Sequence, residues 1–179
     1  MTDIRTIKVS LPIIQAPMPQ GLVTGSLTAS HAVDVPITTT PTAMPFNTND
    51  FDSAGSIDHD TVTDNSRFVV TQSGTYEFIF QPQVASIHNN TGNVYFWMRK
   101  NGTTPIPNSC VTYEVNRSGS TSVLVGAIIT GLVANDYIEF MAQASVNSEY
   151  VLDYIVGSGS GATARPSTPS IIVSIKGWV

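Results

Sequence analysis

A single cysteine, Cys110, among 179 residues rules out an intramolecular disulfide and every metal site that needs two thiolates. Charge is scarce too. Only 12% of residues carry it, eight Lys plus Arg against thirteen Asp plus Glu, for a formal net charge of −5. No basic field is available to neutralise phosphates or anionic lipid, which excludes generic nucleic-acid and membrane-surface binding. The chain has four Glu and three Lys, and no window joins helical periodicity to strong helix formers. No apolar run approaches the roughly 18 residues of a spanning helix. The opening Met1-Thr2-Asp3-Ile4-Arg5 lacks the basic-then-apolar order of a signal peptide. The expectation is synthesis in reducing cytosol, no membrane partner, and stability from apolar burial supplemented by subunit contacts.

What the chain does have is proline early and alternation later. From Met1 to about Ala43, short apolar runs are broken by Pro12, Pro17 and Pro19. Proline lacks a ladder N–H and biases its predecessor to extended conformations, so residues 1–43 are expected to form an extended arm. Its Ile4, Ile7, Val9, Leu11, Ile13, Ile14 and Met18 are too apolar for a solvated tail and are expected to grip another surface. Residues 44–179 read as one β domain, whose first strand begins as early as about residue 33.

In that domain Tyr76, Phe78 and Phe80 fall on one side with period two, and Val94, Phe96 and Met98 repeat the pattern. The run Ser122 to Ile129 is apolar on both sides, as a central strand covered twice would be. Tyr137 to Ala142 and Ile171 to Ile175 supply two more strands. Asn101-Gly102 is the sharpest hairpin cue, because both residues accept the positive φ of a type I′ turn. The fold class is all-β, a barrel or sandwich.

The order of these segments carries a resemblance. Gly74-Thr75-Tyr76-Glu77-Phe78 is followed by Val94 through Gly102, then Leu132 through Phe140, then a last strand ending Ile175-Lys176-Gly177-Trp178-Val179. Over about residues 35–179 this resembles the C1q/TNF-like jelly roll, most of all the versions found in phage and other virus structural proteins. The resemblance implies a jelly-roll sandwich and a homotrimer, packed around a threefold axis through one sheet face and the strand ends. The chain has no Gly-X-Y repeat, which argues against a secreted complement-like role.

Candidate chemistry is thin. His31, His59 and His88 show no spacing suited to metal ligation or to a base–nucleophile couple and read as surface histidines. Cys110 has no basic neighbours to lower its pKa and reads as a packing or tolerated thiol. Asp50, Asp52, Asp58, Asp60 and Asp64 crowd one loop, but without EF-hand order or its terminal Glu they read as solvated. Asn89, Asn101 and Asn116 head glycosylation sequons and read first as turn residues. Gly157, Gly159 and Gly161 mark an exposed loop tip and not a phosphate cradle. No catalytic residue, cofactor or metal site is assigned, so an enzyme is disfavoured.

On the Val94–Met98 strand Tyr95 and Trp97 alternate outward, leaving apolar area that either a neighbouring subunit or the chain's own second sheet must cover. With Tyr137 and Trp178 they are the residues assigned to a trimer interface. Two functional readings follow. The first is a virion decoration or cement protein, a trimeric knob on the capsid surface whose arm lies across the major capsid protein or another virion protein. The second is a fibre or spike tip, binding a host receptor or glycan through residues 86–93 and 157–165.

Overall fold

The computed structural model describes residues 23–178 except 54, 89, 90, 117, 118 and 148. The described chain opens with β1 (Val23–His31), β2 (Val35–Ile37), β3 (Thr42–Ala43), β4 (Thr48–Asp52) and β5 (Ile57–Asp58). Next come β6 (Arg67–Val70), β7 (Gly74–Ser86), β8 (Gly92–Lys100), β9 (Thr104–Pro105) and β10 (Val111–Val115). The last five are β11 (Ser120–Ser122), β12 (Val125–Leu132), β13 (Tyr137–Ala144), β14 (Tyr150–Leu152) and β15 (Ile171–Trp178).

These strands form two antiparallel sheets. The first runs β2-β14-β7-β15-β1-β4, with β11 and β12 also on β7; the second runs β10-β8-β13-β6-β5, with β9 on β8 and β3 on β13. β7 is shared because it is long and interrupted by chemistry. Its residues 75–82 pair with β15 and 84–86 with β14, and Pro82, which has no N–H, stands where the partners change.

Alternation builds the core. Tyr76, Phe78 and Phe80 of β7, Phe96 of β8, Phe140 of β13 and Ile171, Val173 and Ile175 of β15 are all fully buried. Phe80 and Phe140 stack with centroids 4.4 Å apart, and Phe140 stacks in turn on Phe96 at 5.4 Å. Such pairs add roughly 0.5–1.5 kcal/mol beyond the area they bury.

The predicted hairpin at 101–102 is present: Asn101 and Gly102 have φ of 51° and 73°. The Asn101 side chain accepts from Tyr137 N at 2.9 Å and donates to Asp136 Oδ1 at 2.8 Å. Lys100 Nζ reaches Asp136 Oδ2 at 2.6 Å, so one carboxylate joins two turns at the same end of the sandwich.

The predicted arm is too long. Residues 23–43 hold β1, β2 and β3, and β1 lies inside the first sheet, paired with β15 from Val23↔Trp178 to His31↔Ile171. Ser26, Thr28 and Ser30 look like loop residues in sequence, yet they occupy outward positions of β1 while Leu27 and Ala29 fill the core. Pro36 is tolerated because β2 is a terminal strand among the described residues, with no further neighbour there to need its missing donor. Of the expected arm only residues 1–22 are left, and they lie outside the described residues, as do the proposed anchors Ile4, Ile7, Val9, Leu11, Ile13, Ile14 and Met18.

The central strand expected at Ser122–Ile129 is also corrected. Ser122 ends β11, β12 starts at Val125, and among the described residues β12 is an edge strand paired with β7 alone. Its inward side meets the core through Val125 and Ile129; Leu124 and Ile128 are each 66% exposed.

Candidate subunit interface

The outward face of the first sheet is built from small and apolar residues. Following the ladders, Gly126, Ile79, Ser174, Thr28 and Phe51 form one row across β12, β7, β15, β1 and β4. Ile128, Glu77, Lys176 and Ser26 form the next, and Gln81, Ile172 and Ser30 another. Five strands at about 4.8 Å spacing make this face about 19 Å wide. The two charges within these rows, Glu77 and Lys176, sit directly opposite one another, and Asp50 and Asp52 are exposed on the marginal strand β4. Phe51 is 56% exposed at one margin, and Leu124 and Ile128 stand at the other.

Such an edge is unusual for a strand left in water. β12 reads Val-Gly-Ala-Ile-Ile-Thr-Gly-Leu, with no charge and no proline, the two devices that normally blunt a free edge. Phe51, Leu124 and Ile128 were not assigned to an interface from sequence. The signal was there: a run apolar on both sides needs two covers, and the described residues supply one.

The outward face of the second sheet differs. Glu139, buried to 4% exposure, receives Arg99 Nε and Nη2 on Oε2 at 2.9 and 2.8 Å, and Arg67 Nε lies 3.9 Å from Oε1. Arg67 also covers the Tyr137 ring, its guanidinium carbon 4.8 Å from the centroid. Tyr95 and Trp97 do point outward here and are half-buried; Met141, in register between Trp97 and Ala43, is 1% exposed. Tyr95, Trp97 and Tyr137 thus share one face. Trp178 stands on the other sheet, beside Val23 and Thr75, so the four predicted interface residues do not form one patch.

Two of the three histidines are not at the surface. His31 and His59 are buried and His88 is exposed. His31 ends β1 facing the core, and burial pushes its imidazole below the usual histidine range. His59 was misread because its acidic neighbours suggested a solvated loop, whereas its ring packs between Phe46 and Phe68. Cys110 is exposed, a tolerated thiol and not a packed one.

The acidic residues do not converge. Asp60 Oδ1 accepts from Val62 N at 2.7 Å and Thr63 N at 3.2 Å, and these backbone donors hold its carboxyl below the ordinary range. Asp64 pairs with Arg67 at 2.9 Å, and Asp50 and Asp52 lie exposed on β4. Among the described residues no group of three or more His, Cys, Asp or Glu could hold a metal ion.

The glycine-rich segment is a narrow ribbon, bridged at Ile155↔Thr168 and Ser158↔Arg165. A Cβ on Gly157 would sit 2.7 Å from Arg165 O, which is why glycine stands there. The ribbon leaves the sandwich between β14 and β15, at the end opposite Val23 and Trp178. Val23, where the described chain begins, therefore lies at one end of the domain, and Ser86 and the 157–165 segment lie at the other.

No protein-family model matches this chain, and no curated protein matches it in sequence. Solved structures do match. Murine APRIL at pH 5.0 superposes with a TM-score of 0.55 at 9% identity, covering 86% of this chain and 98% of that one. Murine APRIL at pH 8.0 gives 0.51 at 11% identity over the same shares. The globular domain of zebrafish complement 1qA gives 0.49 at 14%, covering 87% and 96%. At such identities the likeness is one of fold: two antiparallel sheets in a C1q/TNF-like jelly roll.

Proposed function

We propose that this chain is a virion structural protein, a decoration or cement knob of three C1q/TNF-like jelly rolls anchored to a capsid by residues 1–22. The observation that carries the reading is the outward face of the first sheet. A face that ends in exposed Phe51, Leu124 and Ile128 and whose central rows hold one oppositely charged cross-strand pair is suited to a second copy of itself. The mechanism is added burial: contacts made only on the assembled shell stabilise that shell, and three leaders on one trimer gain avidity from weak individual grips.

The two-ended layout supports the same reading, with attachment at the Val23 end and free loops at the other. It also favours the second one, a fibre or spike tip binding a host receptor or glycan through the far loops. There Val33, Ile87, Val146 and Val156 are exposed. Deleting residues 2–20 separates the two. On the decoration reading the variant remains a trimer and no longer co-sediments with shells. Undiminished shell binding refutes the anchor, and lost attachment to cells after substitution in 157–165 favours the tip.

A further inference from the structure

His59 lies between β5 and β6 and takes no part in the face described above; it is 5% exposed. Its ring stacks on Phe68, centroids 4.5 Å and planes 19° apart, and meets Phe46 edge-on. Nδ1 lies 2.6 Å from Asn49 Oδ1, and Nε2 lies 3.1 Å from the Asn65 carbonyl oxygen. The Asn49 amide has one sensible orientation. Its Nδ2 donates to the His59 carbonyl oxygen at 3.1 Å, which leaves Oδ1 facing the ring.

Both ring nitrogens therefore confront oxygen acceptors. A neutral imidazole has one N–H, so one of the two contacts would set lone pair against lone pair; an imidazolium donates at both. The Asn65 oxygen also accepts from Phe46 N at 2.7 Å, so it keeps a donor when the ring loses its proton. The neutral ring accordingly keeps its hydrogen on Nδ1 and turns a bare Nε2 toward Asn65.

The charges around the ring are few. Its own segment brings Asp58 and Asp60, both of which favour the imidazolium, and Asp64, which is held by Arg67. Arg67, the one charged residue of β6, is engaged by Asp64 and Glu139. β4 brings Asp50 and Asp52, both exposed, and the Phe46 segment brings none.

We propose that His59 is a proton-operated latch: the imidazolium ties β4 to residues 60–65 across Phe68, and loss of one proton removes the Nε2 bond to Asn65 and loosens that segment, while the Phe46 N bond to Asn65 and the sandwich remain. The segment presents Val62, 83% exposed, so the latch alters a surface loop and not the core. Burial lowers the ring's affinity for its second proton, against the Asn65 carbonyl, Asp60 and Asp58. The latch therefore closes only on the acid side of the ordinary histidine value of 6.5.

Long-range proton–nitrogen spectra of the His59 ring in the full chain, from pH 4 to 8, test this directly. The expected result is two protonated nitrogens at the acid end and an Nδ1–H tautomer above the transition. The amides of Val62, Thr63, Asp64 and Asn65 should follow with the ring's own midpoint, and their relaxation should report faster motion at neutral pH. His59→Phe, which keeps the stacking, should leave those amides without that transition. Should that variant not fold, the wild-type titration decides alone. A ring that never takes the second proton, an Nε2–H tautomer at neutral pH, or amides that follow only a carboxylate midpoint would each overturn the latch.

Discussion

Replacing Ile128 by Glu puts the assembly reading at risk most directly. Burying a large aliphatic side chain contributes roughly 1.5–3 kcal/mol. Because Ile128 is 66% exposed in the single chain, about 1–2 kcal/mol of that remains for a neighbouring copy to collect. Threefold symmetry repeats the contact, so loss of the side chain should cost the trimer about 3–6 kcal/mol, or two to four decades in its assembly constant. Ile128→Thr, which keeps β-branching, isolates this apolar contribution. Ile128→Glu adds three carboxylates drawn out of water and is expected to leave only single chains at micromolar concentration. Sedimentation velocity over a hundredfold concentration range reads both, with 19.1 kDa as the mass of one copy. The single chain should lose less than about 0.5 kcal/mol of stability, since the site is solvent-facing. A wild-type chain that sediments as one copy, or an Ile128→Glu chain that still sediments as three, would refute the reasoning.

Other perturbations probe the fold that holds this face. Glu139→Ala strips Arg99 of the carboxylate oxygen that accepts both its Nε and Nη2 and, with the Arg side chains partly open to water, should cost about 2–3 kcal/mol by chemical denaturation. Glu139→Met, which keeps the stem volume, should recover part of that loss. Gly25→Ala drives a Cβ to 2.6 Å from Ser56 N, a backbone atom, and should lower Tm by several degrees at least. His31 has a buried Nδ1 without a partner and a folded-state pKa below its unfolded value of 6.5. The unfolded chain therefore binds the proton first, and stability should fall as pH drops from about 6.5 through the folded value. His31→Phe should remove that part of the acid slope; an unchanged slope would show that His31 does not carry it.

Period two made the core legible in advance. Tyr76, Phe78 and Phe80 on β7, and Val94, Phe96 and Met98 on β8, alternate with less buried neighbours, and such a pattern has one stable outcome, a strand with one side buried. Asn101-Gly102 was legible for a similar reason, since few residue pairs accept two positive φ angles in succession. β1 was not. Its sequence Val-Thr-Gly-Ser-Leu-Thr-Ala-Ser-His has only two strongly inward residues, and its place between β15 and β4 depends on partners more than a hundred residues away for one neighbour and about twenty for the other. His59 shows the opposite failure, because acidic neighbours in sequence concealed an aromatic slot made by Phe46 and Phe68.

Composition and periodicity alone determined that this chain is an all-β domain without an intramolecular disulfide, because those properties follow from residue types and their spacing. Tertiary structure alone decided which apolar positions are left without a cover. Ser122 to Ile129 reads the same whether its strand lies in the middle of a sheet or at its edge. Only the pairing of β12 with β7 on one side, and with nothing further among the described residues on the other, leaves Leu124 and Ile128 facing solvent. Burial is a property of neighbours, and neighbours are set by folding.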